Sequence, residues 1–170
     1  MTKFIGRLAD IGIAKEAVRG TAENSVGFYL PKVSLTIDDG IEQVLDESSI
    51  GVIEDSPNAS VVGKFAEGEI EGNIYDKSFG LLLFAALGGK SVSGPSDSAY
   101  THSFTVAQSA QHQSLTLFLD DPNQDYKYAL AMLESLEIDV MLAQYARYKA
   151  AFRSKAGETA TLSPSYSAEN

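Results

Sequence analysis

Few side chains in this sequence could do chemistry. The only histidines, His102 and His112, stand ten residues apart, one inside a strand-like alternation and the other in a polar turn. The default for such residues is a packed or solvated imidazole, not a general base. Asp121, Asn123 and Asp125 match the first half of a calcium-binding loop. The pattern then needs glycine where Tyr126 stands and a bidentate glutamate where Met132 stands, so the segment reads as an acidic turn. Glu67, Glu69 and Glu71 could be paired carboxylates for acid–base work. They occupy successive same-face positions of one strand with no basic or metal-binding partner nearby in sequence, which is the pattern of a solvated face. Gly88-Gly89-Lys90-Ser91 follows a helical segment instead of opening one, the wrong end of a helix dipole for phosphate. Arg147, Lys149, Arg153 and Lys155 form the one positive cluster, either a solvated strand face or a set of ion pairs with an acidic neighbour. There is no cysteine, which removes disulfides, thiol catalysis and thiolate-bound zinc. The residues point away from catalysis, cofactors and metals.

Bulk properties narrow the partners. Thirteen basic against 23 acidic residues give a formal net charge of -10, which argues against gripping nucleic acid, although not against a surface that DNA slides past. The first residues are interrupted by Arg7 and Asp10 before a signal-like apolar run forms, so export by a signal peptide is not expected. The longest apolar run, Leu81 to Leu87, is too short to span a bilayer, and no membrane partner is expected. A chain of 170 residues suits one domain with a self-supporting core.

The elements that position these residues are mostly strands. Tyr29 to Asp38 alternates, with Val33, Leu35 and Ile37 on one face. From Phe65 to Tyr75 the acidic set lies on one face, and Ala66, Gly68, Ile70, Gly72 and Ile74 lie on the other. A helix of about three turns is expected between Asp76 and Gly88. It has no polar stripe, so it needs cover on nearly every side. Lys90 to Ala99 reads as a Ser/Gly/Pro loop. Further strands are expected over residues 100–106, 114–120, 126–132, 136–142 and 147–155. Residues 1–27 lack a clean period and read as an N-terminal arm with at most short structure; 156–170 form a polar tail. Residues 41–60 carry too many apolar side chains for a solvated linker. The pattern fits a mainly β antiparallel sandwich or barrel with one short α-helix inserted. An all-apolar helix and two apolar segments with no obvious core to join suggest that copies of the chain pack on one another.

Several stretches together have a familiar pattern: Ile13-Ala14-Lys15-Glu16, Arg19-Gly20-Thr21-Ala22, the Tyr29-Leu30-Pro31 strand start, and Gly51 and Glu54. The pattern continues in the Gly68 to Tyr75 strand, the Gly80-Leu81-Leu82 to Leu87-Gly88 helix, Thr101 to Thr105, and Leu136 to Leu142. In these stretches the chain resembles the tail tube (major tail) proteins of long-tailed bacteriophages. The resemblance implies a tail-tube-type β domain over 28–155, with 41–60 as a long loop between subunits. It implies six copies per ring, rings stacked into a tube, other tail proteins at the tube ends, and DNA passing through the lumen without specific binding. It further implies a virion protein assembled in the cytoplasm of a bacterial host, with no enzymatic activity and no cofactor. Candidate contacts between subunits are Ile41, Val44, Leu45, Ile50, Val52, Ile53, Leu82 and Phe84; candidate lumen-facing acids are Glu67, Glu69, Glu71, Glu137 and Asp139. Related proteins often run longer, which leaves open whether residue 170 is a natural C-terminus. Two other readings stand beside this one: another ring-forming tail or type VI secretion tube component of the same fold, and a monomeric β-sandwich binding module.

Overall fold

A computed structural model describes residues 9–45, 59–96, 99–108 and 111–162. Its strands, in chain order, are β1 (Asp10–Lys15), β2 (Phe28–Leu30), β3 (Ser34–Leu45), β4 (Ala59–Asn73), β5 (Gly88–Ser96), β6 (Ala99–Val106), β7 (Leu115–Asp120), β8 (Asp125–Asp139), β9 (Arg147–Lys155) and β10 (Glu158–Ala160). The helix α1 (Phe79–Leu87) sits between β4 and β5. The principal sheet runs β2-β1-β7-β8-β9-β4-β3 with β10 also on β8, while β5 and β6 form a separate ribbon. All its pairings are antiparallel.

β8 joins the two halves of this sheet. Tyr126 to Ala131 pair with β7, and Met132 to Asp139 pair with β9. The register shifts where Leu115 and Leu117 meet β8, and again between Leu133 and Ser135. Leu130 lies at the first shift with φ 55, a left-handed conformation that costs a non-glycine residue about 1–2 kcal/mol. Such bulges bend a strand and increase its twist. One half of the sheet therefore contains β2, β1, β7, β10 and the start of β8; the other contains the rest of β8, β9, β4 and β3. Their inner faces meet in one core: Ile11, Ile13, Leu115 and Leu117 from the first, Ile70, Ala150 and Phe152 from the second, and Leu82 from α1. Among the described residues the architecture is mainly antiparallel β with a single short helix, as the alternation implied.

Several boundaries differ from the sequence reading. Part of the expected N-terminal arm is a core strand, since Ile11 and Ile13 of β1 are fully buried between β2 and β7. Gly12 and Ala14 on the other face of β1 are buried as well, so no polar alternation marks it. Residues 156–162 are not only tail, because Glu158 to Ala160 pair with β8. The expected loop 90–99 is largely ribbon: Ser91, Val92 and Ser93 pair with Ser103, His102 and Thr101 despite their loop-like composition. The two strands expected over 126–132 and 136–142 are one continuous β8, whose alternation is reset by its bulges. Val140, Met141 and Leu142 lie beyond its end and are exposed, Leu142 at 98%.

Within β4 the core-face glycines are a packing requirement. A Cβ on Gly72 would stand 2.3 Å from the Pro31 carbonyl oxygen and 2.8 Å from the Tyr148 hydroxyl oxygen. α1 ends at Gly88, whose left-handed φ of 80 lets its N–H reach the Phe84 carbonyl, and β5 begins at the same residue. The helix is less enclosed than its composition implied: Leu82 and Ala85 are buried, and the other residues are half-buried.

Candidate assembly surfaces

The outer face of the four-stranded half is a lattice of charge. Register places Ser34, Thr36 and Asp38 of β3 opposite Glu71, Glu69 and Glu67 of β4. These glutamates face Lys149, Ala151 and Arg153 of β9, and Lys149 and Arg147 face Glu137 and Asp139 of β8. Lys149 Nζ lies 3.0 Å from Glu69 Oε1 and 3.7 Å from Glu71 Oε1, and Arg153 Nη1 lies 3.6 Å from Glu67 Oε1. The Arg153 guanidinium also stacks 4.6 Å from the Phe65 ring centre. The hydrogen bond and charge of Glu69, with the fields of Glu71 and Glu137, raise the Lys149 pKa above its ordinary value. The cations of β9 thus run between two columns of carboxylates. Asp38, Glu67, Glu69, Glu71, Glu137 and Asp139 surround Arg147, Lys149 and Arg153, so the face stays acidic without being a bare acidic wall. The glutamates have no basic partner nearby in sequence because the partner strand lies some 80 residues downstream.

The same half has two open margins. β3 pairs only with β4, and the Met132 to Asp139 part of β8 pairs only with β9 among the described residues. Pairing to β9 stops at Phe65, so β3 and β4 continue from Gly40 as a two-stranded arm. Ile41, Val44 and Leu45 are exposed on this arm, Leu45 at 67%, together with Val61 and Val62. A ribbon of two strands with apolar side chains in water is marginal on its own. The candidate contacts Ile50, Val52 and Ile53 lie outside the described residues. Leu82 needs correction as a candidate contact: it is 0% exposed and belongs to the chain's own core, so it has no surface to offer a second copy. Phe84 is half-buried, with Lys15 Nζ 5.5 Å from its ring centre.

The residues behind these surfaces converge on Glu16, which is 2% exposed. Its carboxylate accepts hydrogen bonds from the Leu130 N–H at 2.7 Å, the Gly20 N–H at 2.7 Å, the Ser114 hydroxyl at 2.6 Å and the Thr116 hydroxyl at 3.3 Å. A carboxylate can be buried when its lone pairs are filled in this way. It thereby holds the left-handed Leu130 at the bulge of β8. Residues 17–27 fold over the outer side of β1 and β7: the Glu23 N–H donates to Thr116 Oγ1, and the Gly27 N–H donates to the Ile13 carbonyl. Arg19 donates to the His112 carbonyl, and His112 Nδ1 lies 3.0 Å from the Ala86 carbonyl oxygen near the end of α1. In the sequence Glu16 is marked only as part of the Ile13-Ala14-Lys15-Glu16 stretch. Its one local signal is a charged residue closing an apolar strand.

His102 is exposed on the ribbon, and no group of three or more His, Asp or Glu residues among those described is placed to hold a metal ion. In the acidic turn, the Asn123 N–H donates to Asp121 Oδ1 and the Leu162 N–H to Asp125 Oδ2. Burial, a hydrogen bond with Asp125 and the charges of Asp125, Asp10 and Asp121 push the Asp120 carboxyl above its ordinary range. No described helix is long and apolar enough to cross a membrane.

Comparison with known proteins gives a fold. No family model matches the sequence, and neither does any curated protein. Among solved structures, a chain of the virion of a native gene transfer agent particle is similar over 94% of this chain and 100% of its own, with a TM-score of 0.56 and 12% identity. A chain of the anti-feeding prophage baseplate matches over 94% and 96%, with a TM-score of 0.55 and 7% identity. A chain of the sheath–tube complex of the extracellular contractile injection system PVC, in its extended state, matches over 91% and 88%, with a TM-score of 0.53 and 8% identity. The chain shares the fold of these three chains, in line with the fold that the sequence resemblance implies.

Proposed function

We propose that this chain is the structural subunit of a phage tail tube, forming six-membered rings that stack into a hollow tube through which DNA passes. The supporting observation is the four-stranded half-sheet with a charged outer face and two open margins. Exposed sheet edges invite pairing with another chain, and closing a ring of copies edge to edge covers both margins of this half. The charged face then lines the lumen, with Glu67, Glu69, Glu71, Glu137 and Asp139 toward the channel. An excess of carboxylates repels phosphate, while Lys149 and Arg153 stay occupied by Glu69, Glu71 and Glu67. The duplex meets a wall whose carboxylates outnumber its cations. Such a protein is non-enzymatic, works in the virion beside other tail proteins at the tube ends, and is assembled in the bacterial host.

The likeness to a baseplate chain favours a second reading, a ring that caps or founds the tube without repeating along it. Negative-stain microscopy of the purified full-length protein separates the two. Six-fold rings that stack with rising concentration support the tube, whereas rings that never stack support the terminal component. A monodisperse monomer at high concentration would overturn both.

A further inference from the structure

We propose that the groove between α1, the β5–β6 ribbon and β2 receives the tip of the β3–β4 arm of a second copy of this chain. This inference rests on the tube reading and gives its stacking contact a place. The groove encloses about 470 Å³. Its apolar lining includes Phe28, Leu81, Phe84 and Phe104, and Lys77 and Lys90 stand exposed at its margin. Lys15 adds a third ammonium above Phe84, against one acidic lining residue, Asp76. Among the described residues, Lys15, Lys77 and Lys90 form no ion pair, whereas Lys149 and Arg153 on the charged face are paired. An apolar floor edged by unneutralised lysines fits an occupant that is both apolar and acidic.

The arm meets that description. Residues 41–62 carry Ile41, Val44, Leu45, Ile50, Val52, Ile53, Val61 and Val62 together with Glu42, Asp46, Glu47, Glu54 and Asp55, with no lysine or arginine among them. A chain cannot supply its own groove. β4 spans fifteen residues from Ala59 at the arm to Asn73 just before α1. At ~3.3 Å per residue its ends stand about 45 Å apart. The thirteen residues 46–58, reaching back by half their length, cover about 20 Å. Arm and groove thus sit at opposite ends of the subunit, the head-to-tail arrangement that extends a stack and does not close a pair.

The test is a charge swap in the full-length protein. Lys77→Glu with Lys90→Glu, and separately Glu54→Lys with Asp55→Lys, should each raise the concentration needed for stacked assemblies by at least about tenfold, read by sedimentation and negative-stain microscopy at about 0.1 M salt. The chain carrying both swaps should stack at close to the native concentration. Unchanged circular dichroism shows that the substitutions leave the fold intact. A labelled peptide of residues 41–60 gives a readout that needs no assembly: it should bind the native chain, and the Lys77→Glu/Lys90→Glu chain at least about tenfold more weakly. Native stacking by both single swaps, or a peptide indifferent to the lysines, overturns the groove and leaves the tube reading standing. If the native chain stays monomeric, the tube reading fails, and the peptide alone decides the groove: lysine-dependent binding supports it and its absence overturns it.

Discussion

The two halves of the sheet are built to opposite rules. The half containing β1 and β7 is buried on both faces: Ile11, Ile13, Leu115 and Leu117 point into the core, while Gly12, Ala14 and Thr116 meet residues 17–27 on the other side and Phe118 is buried as well. The half containing β3, β4 and β9 is buried on one face only, shows a charge lattice on the other, and leaves both margins open. The first half is covered on both faces by its own chain and ends in short outer strands, β2 and β10; the second, among the described residues, has longer edges, β3 and the Met132 to Asp139 part of β8, whose polar backbone a neighbour could satisfy. Stability and assembly should therefore be separable by mutation.

The largest loss of stability is expected from Leu82→Asp. It puts a carboxylate into a fully closed apolar site, at a cost of several kcal/mol, and soluble expression should fail. Folded Leu82→Asp protein, shown by a cooperative thermal transition, would remove α1 from the core account. Glu16→Ala comes next, at about 3–5 kcal/mol by thermal or urea unfolding, because the N–H groups of Gly20 and Leu130 lose their buried acceptor. Glu16→Gln should lose less, since one amide oxygen can still accept. Gly72→Ala should cost about 1–3 kcal/mol, as the added carbon meets the Pro31 carbonyl and the Tyr148 hydroxyl.

A titration probes the first half further. The folded-state pKa of Asp120 is raised, so the native protein holds a proton that the unfolded chain gives up. Its contribution is therefore present below the unfolded value of 3.8 and is lost as pH rises through the raised folded value. Asp120→Asn should remove that part of the pH dependence and stabilise the protein at neutral pH, as read by melting temperature against pH. An unchanged profile would mean that Asp120 is as solvated in the native state as in the unfolded one. The smallest effect on folding should come from the open half. Ile41→Asp with Val44→Asp, on exposed arm positions, should change unfolding by less than about 0.5 kcal/mol while abolishing stacking. Intact stacks from that variant, or a large drop in its stability, would erase the distinction between the halves.

The open half was also the legible one. β3, β4 and β9 each keep one face in water, so polar and apolar residues alternate and the sequence shows the strand directly. β1 lacks that contrast because Gly12 and Ala14 are covered as thoroughly as Ile11 and Ile13. The β5–β6 ribbon was hidden by composition, since its ladder is made by backbone that Ser, Gly and Pro do not advertise. Of the candidate surface, the acidic column was visible in spacing, but its pairing with Lys149 and Arg153 follows from topology, which no local window contains. Leu82 and Phe84 look alike in a uniformly apolar helix; only packing decides which one turns inward. The role of Glu16 was the least visible, because a buried carboxylate and a solvated one are the same letter.

The crossing of β8 from one half to the other has a consequence for tolerance. The bulge at Leu130, held by the Glu16 carboxylate, sets the angle between the completed half and the open one. In a closed ring, an angular error in one subunit is repeated by every copy and must sum to nothing around the circle. The ring proposed above, joined through one half of each subunit, therefore requires this bend to be held more tightly than folding alone does. Four hydrogen bonds converging on a single side chain act here as a gauge: they fix a curvature.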